Sequence, residues 1–271
     1  MSEHRCLIVG VLNCTPDSFF DGGQFTSPRD AIEAGVRLAG EGADWIDVGG
    51  ESTRPGSATV SGDEERARVV PVIEGLRARL RDDVLISIDT YKAETARAAL
   101  RAGARVVNDI SGALLDPAIL EAAAEAGAKI VLGHLRGRPS RMMDEVDFDD
   151  VLREVGDELG AQLAAAREAG CGEVWADPGI GFGKGLEHNL ALLRGLPELR
   201  ARLAVPVMVG VSRKAFIGHL TGKPSAERVF GTAAAVTAAV FGGAAAVRVH
   251  DVGAMRDVVR VAEALATTGP Q

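Results

Sequence analysis

A chain of 271 residues, 46% hydrophobic and 25% charged, has the make-up of an ordinary globule able to bury a large core, which excludes a disordered or fibrous protein. A formal net charge of −8 excludes nucleic acid or an anionic membrane surface as the main partner, though it does not describe the charge of any one cleft. Cys6, Cys14 and Cys171 stand at neither CxxC nor Cys/His metal spacing and read as reduced thiols of a cytoplasmic protein.

The first apolar run, CLIVGVL (6–12), is too short and too quickly broken by Asn13 to be a secretory signal, and predicts a strand. Seven more such runs follow: DWIDV (44–48), VLISID (84–89), RVVND (105–109), KIVLGH (129–134), EVWAD (173–177), PVMVGV (206–211) and AAVRVH (245–250). Between them lie amphipathic stretches with helical spacing, among them PRDAIEAGVRLAGEG (28–42), DEERARVVPVIEGLRARL (63–80) and FDDVLREVGDELGAQLAAAREAG (148–170). The uncharged segment Val229 to Val247 is mostly Ala and Gly and is split at Gly242-Gly243. It predicts a buried helix, a turn and a strand rather than a membrane span. Near-continuous apolar strands alternating with helices require a parallel sheet covered on both faces. Eight such units without a linker predict one α/β domain over 1–271, a single (β/α)8 barrel of the TIM type. No GxGxxG follows the first strand, against a dinucleotide-binding sheet.

The predicted strands end in polar side chains: Asn13, Asp47, Asp89, Asn108 with Asp109, His134, Asp177, Ser212, and Arg248 with His250. Any one of the Asp or Asn residues is explained as a helix cap or turn former. Together they would converge on the C-terminal face of a barrel, where such enzymes hold their sites. Asp89, Asp177 and Asn108 suit a neutral ligand with adjacent N–H donors, as on a 2-amino-pyrimidinone edge. Arg248, His250 and Lys214 suit a phosphate-like anion. The three glycines of DPGIGFGK (177–184) fit either a tight turn or a backbone cradle in the site. Lys214 reads as a hydrogen-bonding cation, with a Schiff-base lysine as the rival reading. His134 reads as a core histidine, His188 and His219 as surface residues, and the basic loop 133–143 as a solvated face.

NCTPDSFFDGG (13–23), DVGGESTRPG (47–56), SIDT (87–90), VNDISG (107–112), DPGIGFGK, VGVSRK (209–214) and VRVHDV (247–252), in this order, resemble the dihydropteroate synthase family over essentially the whole chain. That resemblance implies a (β/α)8 enzyme with mobile first and second βα loops at its C-terminal face, usually a homodimer. Its reaction condenses (7,8-dihydropterin-6-yl)methyl diphosphate with 4-aminobenzoate, and sulfonamides mimic the latter. By motif, the resemblance puts Asp89, Asn108, Asp177 and Lys214 on the pterin, and Asn13 on Mg²⁺ and the diphosphate. Arg248 and His250 fall on the diphosphate too. Thr53, Arg54, Pro55, Phe182 and Ser212 fall on the aminobenzoate side. Phe19 is expected as a water-excluding wall over the reacting centre and Asp21 as a charge beside it. Gly133 stands where the family often has Met, so a widened pocket floor is expected. The rival members of this class are a methyltetrahydrofolate:corrinoid methyltransferase and a non-catalytic pterin-binding module.

Overall fold

Eight short strands form one parallel sheet: β1 (Leu7–Asn13), β2 (Trp45–Gly49), β3 (Leu85–Asp89), β4 (Val106–Asp109), β5 (Lys129–Gly133), β6 (Glu173–Asp177), β7 (Met208–Gly210) and β8 (Ala246–Val249). They lie in the order β6-β5-β4-β3-β2-β1-β8-β7, and a parallel bridge between Ala176 and Val207 joins the two ends into a barrel. These positions come from a computed structural model that describes residues 5–14, 27–52, 59–144 and 146–266. Single helices follow the first five strands: α1 (Pro28–Glu41), α2 (Gly62–Arg77), α3 (Ala93–Ala102), α4 (Ala118–Glu125) and α5 (Val151–Glu168). Two follow β6, namely α6 (Leu186–Arg194) and α7 (Leu196–Leu203), and two follow β7, namely α8 (Ala215–Thr221) and α9 (Val229–Phe241). The last is α10 (Val252–Ala266). The uncharged run divides as its composition predicts, with helix to Phe241, a turn at Gly242-Gly243, and strand from Ala246.

Three of the helices begin at side chains that supply an acceptor. Ser27, Ser61 and Asp150 cap α1, α2 and α5 by accepting from the amides of Asp30, Glu64 and Arg153. The strands are short because each has one job on each face. Ile8, Leu12, Ile46, Val48, Ile86, Ile88, Val107, Ile130, Leu132, Val209 and Val247 alternate outward and join Val69, Ile73, Leu76, Leu159 and Val236 of the helices in the main core. Each such side chain contributes about 1.5–3 kcal/mol on full burial, so this shell dominates the stability of the barrel. The inward row is different. At the N-terminal half it is plugged by Val9, Trp45, Val106, Val131, Trp175, Met208 and Ala246, with the two indoles 5.0 Å apart edge to face. Two residues further along the same strands, the period of two puts Asp47, Asn108, Asp177 and Arg248 on that row. Asp89 neighbours Asn108 in the register, and Asn13 neighbours Gly49.

Candidate active site

The polar end of the inward row is organised around Arg248. Its Nε donates to Oδ2 of Asp47 at 2.6 Å and its Nη2 to Oδ2 of Asp89 at 2.7 Å, while the Asn108 amide donates to the same Asp47 oxygen at 3.0 Å. One buried carboxylate thus aims both an arginine and an asparagine. Asp47 is 1% exposed and its Oδ1 has no partner among the described residues. Burial pushes the Asp89 carboxyl up to about 7; Arg248 opposes this and the Asp47 charge adds to it. Burial likewise works against the Arg248 charge, yet Asp47 and Asp89 outweigh it and hold its pKa above the ordinary value.

Opposite this group stand Asp177 and Lys214. Oδ1 of Asp177 accepts from the Gly179 amide at 2.7 Å, and burial raises its pKa against the pull of Lys214. Burial lowers Lys214 to about 8 despite Asp177. Its ammonium donates to the Ile180 carbonyl and lies 4.3 Å from the centre of the Phe182 ring. Two glycines leave this mouth open. A Cβ on Gly210 would sit 3.6 Å from Lys214 Nζ and 3.8 Å from Asp177 Oδ2. One on Gly49 would sit 3.5 Å from Asp89 Oδ2 and 3.7 Å from Asn13 Oδ1. The site is therefore a pocket with acceptors on two walls and a cation on each side.

On the β8 side, the Ser212 hydroxyl oxygen accepts from the His250 amide at 3.2 Å and lies 3.0 Å from His250 Nδ1. The Ser212 hydroxyl thus ties the His250 backbone to its imidazole and fixes the orientation of the ring. Ser212 is buried and its hydroxyl contacts His250. Arg213 is bound to Asp251 through Nε at 3.0 Å and Nη2 at 2.5 Å, so it is committed to a carboxylate and adds nothing to an anion pocket. Asn13 offers one neutral oxygen beside Asp89, and the described residues contain no group of three His, Cys, Asp or Glu able to hold a metal alone. That donor set fits Mg²⁺ arriving with a diphosphate, since this ion keeps water and substrate oxygens rather than an all-protein cage.

Two strand-end residues do not belong to the mouth. Asp109 turns away and accepts from the amides of Ser111 and Ala113 at 2.8 and 2.7 Å, closing a turn. His134 is fully buried between Glu158 of α5 and Lys184, a core histidine as expected. His219 is exposed, but His188 packs its ring 5.1 Å from Phe148 and is only half exposed. The basic loop is not free either: Arg136 pairs with Glu154 at 2.6 Å and with Glu158, and stacks 4.0 Å over Phe148. The expected widening at Gly133 is corrected. A Cβ there would lie 2.8 Å from Cα and O of Ile110, so backbone fills the space that a side chain would need.

Sequence reasoning brought together Asn13, Asp89, Asn108, Asp177, Lys214, Arg248, Phe182, Ser212 and His250, and the fold gathers all nine at the C-terminal ends of β1, β3, β4, β6, β7 and β8. Phe19, Asp21, Thr53, Arg54 and Pro55 lie outside the described residues. Two residues had no assigned role. Asp47 was visible as an inward position two residues past Trp45, whereas Lys184 carried no signal beyond ending a glycine-rich motif. A separate cavity of about 300 Å³ opens at the other end of the barrel, beside the Arg77–Asp82 and Lys129–Glu173 pairs and away from all these groups.

The chain is similar to known proteins over nearly its full length. The pterin binding enzyme family matches residues 9–250. A dihydropteroate synthase of Synechocystis is 50% identical over 264 residues, covering 96% of this chain and 90% of that protein. The solved Yersinia pestis dihydropteroate synthase, in a sulfonamide drug complex, superposes with a TM-score of 0.93 at 39% identity, covering 99% and 97% of the two chains. A Xanthomonas albilineans dihydropteroate synthase with 4-aminobenzoic acid gives 0.91 at 43% identity, covering 99% and 96%.

Proposed function

The chain belongs to the pterin-binding enzyme family, and from that membership we infer that it is a dihydropteroate synthase, a transferase that condenses (7,8-dihydropterin-6-yl)methyl diphosphate with 4-aminobenzoate. The observation that carries this reading to the site is the inward row, with Asp89, Asn108 and Asp177 facing Lys214 and Arg248 across one pocket. We assign Asp89, Asn108 and Asp177 to the donor-rich edge of the pterin and Lys214 to its ring carbonyl. Each carboxylate accepts parallel N–H bonds, and each is most useful ionised.

The reaction breaks the bond between the exocyclic methylene and the diphosphate oxygen, which leaves with the electron pair. The dihydropterin delocalises the resulting cation, the arylamine nitrogen donates its lone pair to the methylene, and its proton is then lost to solvent. Little acid–base help is needed; leaving-group charge and water exclusion decide the rate. Arg248, with Nε and Nη2 held by Asp47 and Asp89, presents the rest of its guanidinium to the leaving group, and His250, its ring oriented by Ser212, lies beside it on the diphosphate side. Mg²⁺ bound with the diphosphate at Asn13 would supply further charge neutralisation there. On the same reading Phe182, Thr53, Arg54 and Pro55 are assigned to the arylamine side, Phe19 to a water-excluding wall over the reacting centre and Asp21 to a charge beside it. Among the described residues no helix is long and apolar enough to cross a membrane, and the three buried free thiols favour the cytoplasm. A homodimer is also part of this reading.

Mixing the protein with the pterin diphosphate and 4-aminobenzoate tests the function. Diphosphate release should depend on the arylamine and fall when a sulfonamide competes with it. Release without the arylamine, or none, would overturn the assignment.

A further inference from the structure

Lys184 is 3% exposed, and among the described residues its hydrogen-bond partners are an imidazole and two carbonyls rather than a carboxylate. Its Nζ lies 2.9 Å from His134 Nδ1, 3.2 Å from the His134 carbonyl and 2.9 Å from the Phe182 carbonyl. Three acceptors meet the three hydrogens of an ammonium, with none to spare and none missing. The imidazole is arranged to match. His134 Nε2 is 3.0 Å from Glu158 Oε2 and must hold the ring proton, so the Nδ1 lone pair faces Lys184. Burial, with the Lys184 charge second, drives His134 down to about 3 and keeps it neutral. Burial also lowers Lys184, to about 7, with Asp177 opposing. The geometry favours the charged form, because a neutral amine would turn its own lone pair toward one of the three acceptors.

The tripod ties the end of β5 to the loop that carries Phe182. Gly179 permits this closeness: at φ 66° it brings the loop so near that a Cβ would overlap the His134 carbonyl oxygen. Asn189 holds the loop from the other side, accepting from the Gly181 amide at 2.6 Å. Between those two tethers sit the Ile180 carbonyl and the Phe182 ring, the two groups that touch Lys214.

We infer that Lys184 is a positioning residue of the active site, fixing the Phe182 peptide so that its ring and the Ile180 carbonyl hold Lys214 toward the substrate. The inference rests on the synthase reading for what Phe182 and Lys214 contact. Lys184→Met keeps the aliphatic stem and removes every donor. It should lower kcat/KM for 4-aminobenzoate by about tenfold to a hundredfold, the range expected when a binding wall shifts by a fraction of an ångström to an ångström. It should also weaken binding of an unreactive pterin by calorimetry, and Lys184→Arg should recover part of both. A variant that melts earlier yet keeps kcat/KM and pterin affinity within about twofold of the parent would reduce Lys184 to a core plug and overturn the inference. If Lys184→Met does not fold, long-range ¹H–¹⁵N NMR on the parent protein decides: a neutral His134 with its proton on Nε2 supports the tripod, and an imidazolium or an Nδ1–H tautomer overturns it. A parent protein that binds pterin but releases no diphosphate would refute the synthase reading alone, leaving the pterin-affinity comparison and the NMR result to judge Lys184.

Discussion

At the scale of single residues, the site keeps charge in a place that disfavours it. Asn108 and Arg248 converge on Asp47, and Arg248 in turn offsets part of the burial that raises Asp89. Removing one partner from such a buried pair costs about 3–5 kcal/mol, because the other charge is left uncompensated. Two of the groups assigned to the pterin stay within reach of neutral pH: Asp89 raised to about 7 and Lys214 lowered to about 8. Their signs differ. As pH falls through about 7, Asp89 takes up a proton and loses its ability to accept two N–H bonds. As pH rises through about 8, Lys214 loses the proton that it would offer a ring carbonyl. Affinity for an unreactive pterin, followed by calorimetry across pH, should therefore peak between about 7 and 8 and fall on both sides. A flat profile from about 6 to 9 would remove both groups from the pterin contact. Linkage runs the opposite way for stability without ligand: a carboxylate raised on folding makes stability fall as pH climbs from its ordinary value toward about 7, the range over which pterin affinity rises.

At the scale of elements, each strand serves two masters at alternate positions, the helical shell outside and the plug and pocket inside. Gly210 ends the short β7 on the inner row with room around it. Gly210→Val should leave melting within a few degrees of the parent, since an added Cβ meets nothing closer than 3.6 Å and valine favours strands. Its methyl groups would enter the gap between Asp177 and Lys214, and pterin affinity should fall by about a hundredfold or more, as overpacking a close-fitted pocket costs a few kcal/mol. Normal binding in that variant would show that the pocket does not run past β7. The same alternation explains what was legible in the sequence. Runs such as LISID and EVWAD fixed the strands to within a residue or two, and their last inward residues, Asp89 and Asp177, fell on the site. His134 and Asp109 ended strands too, but one position out of phase, facing helix and turn. Gly133 misled because a missing side chain does not say which neighbour moves in; here it is the Ile110 backbone. Lys184 was hidden because its partners are two carbonyls and an imidazole from distant segments, which no local pattern encodes.

At the scale of the whole molecule, one face is left apolar. The sequence of α9, VFGTAAAVTAAVF, has no charge, and Phe230, Ala234, Ala238 and Phe241 are all exposed. Phe230 and Phe241 are eleven residues apart, close to three full turns, so both rings project from one side of the helix. Phe230 is 86% exposed and Phe241 54%. The neighbouring α10 adds Val261 and Leu265, one turn apart and 60% and 61% exposed. A soluble monomer rarely keeps so continuous an apolar stripe in water, and a second copy related by a two-fold axis would cover it with the same residues. The parent protein should therefore sediment as a dimer at micromolar concentration, and Phe230→Glu should shift it toward monomer by placing a charge in the stripe that the second copy would cover. Because the Phe230 side chain is 86% exposed rather than buried against the pocket, pterin affinity per chain should be unchanged in that variant. A parent protein that sediments as a monomer at high concentration, or a Phe230→Glu dimer as tight as the parent, would leave this stripe without the partner proposed for it.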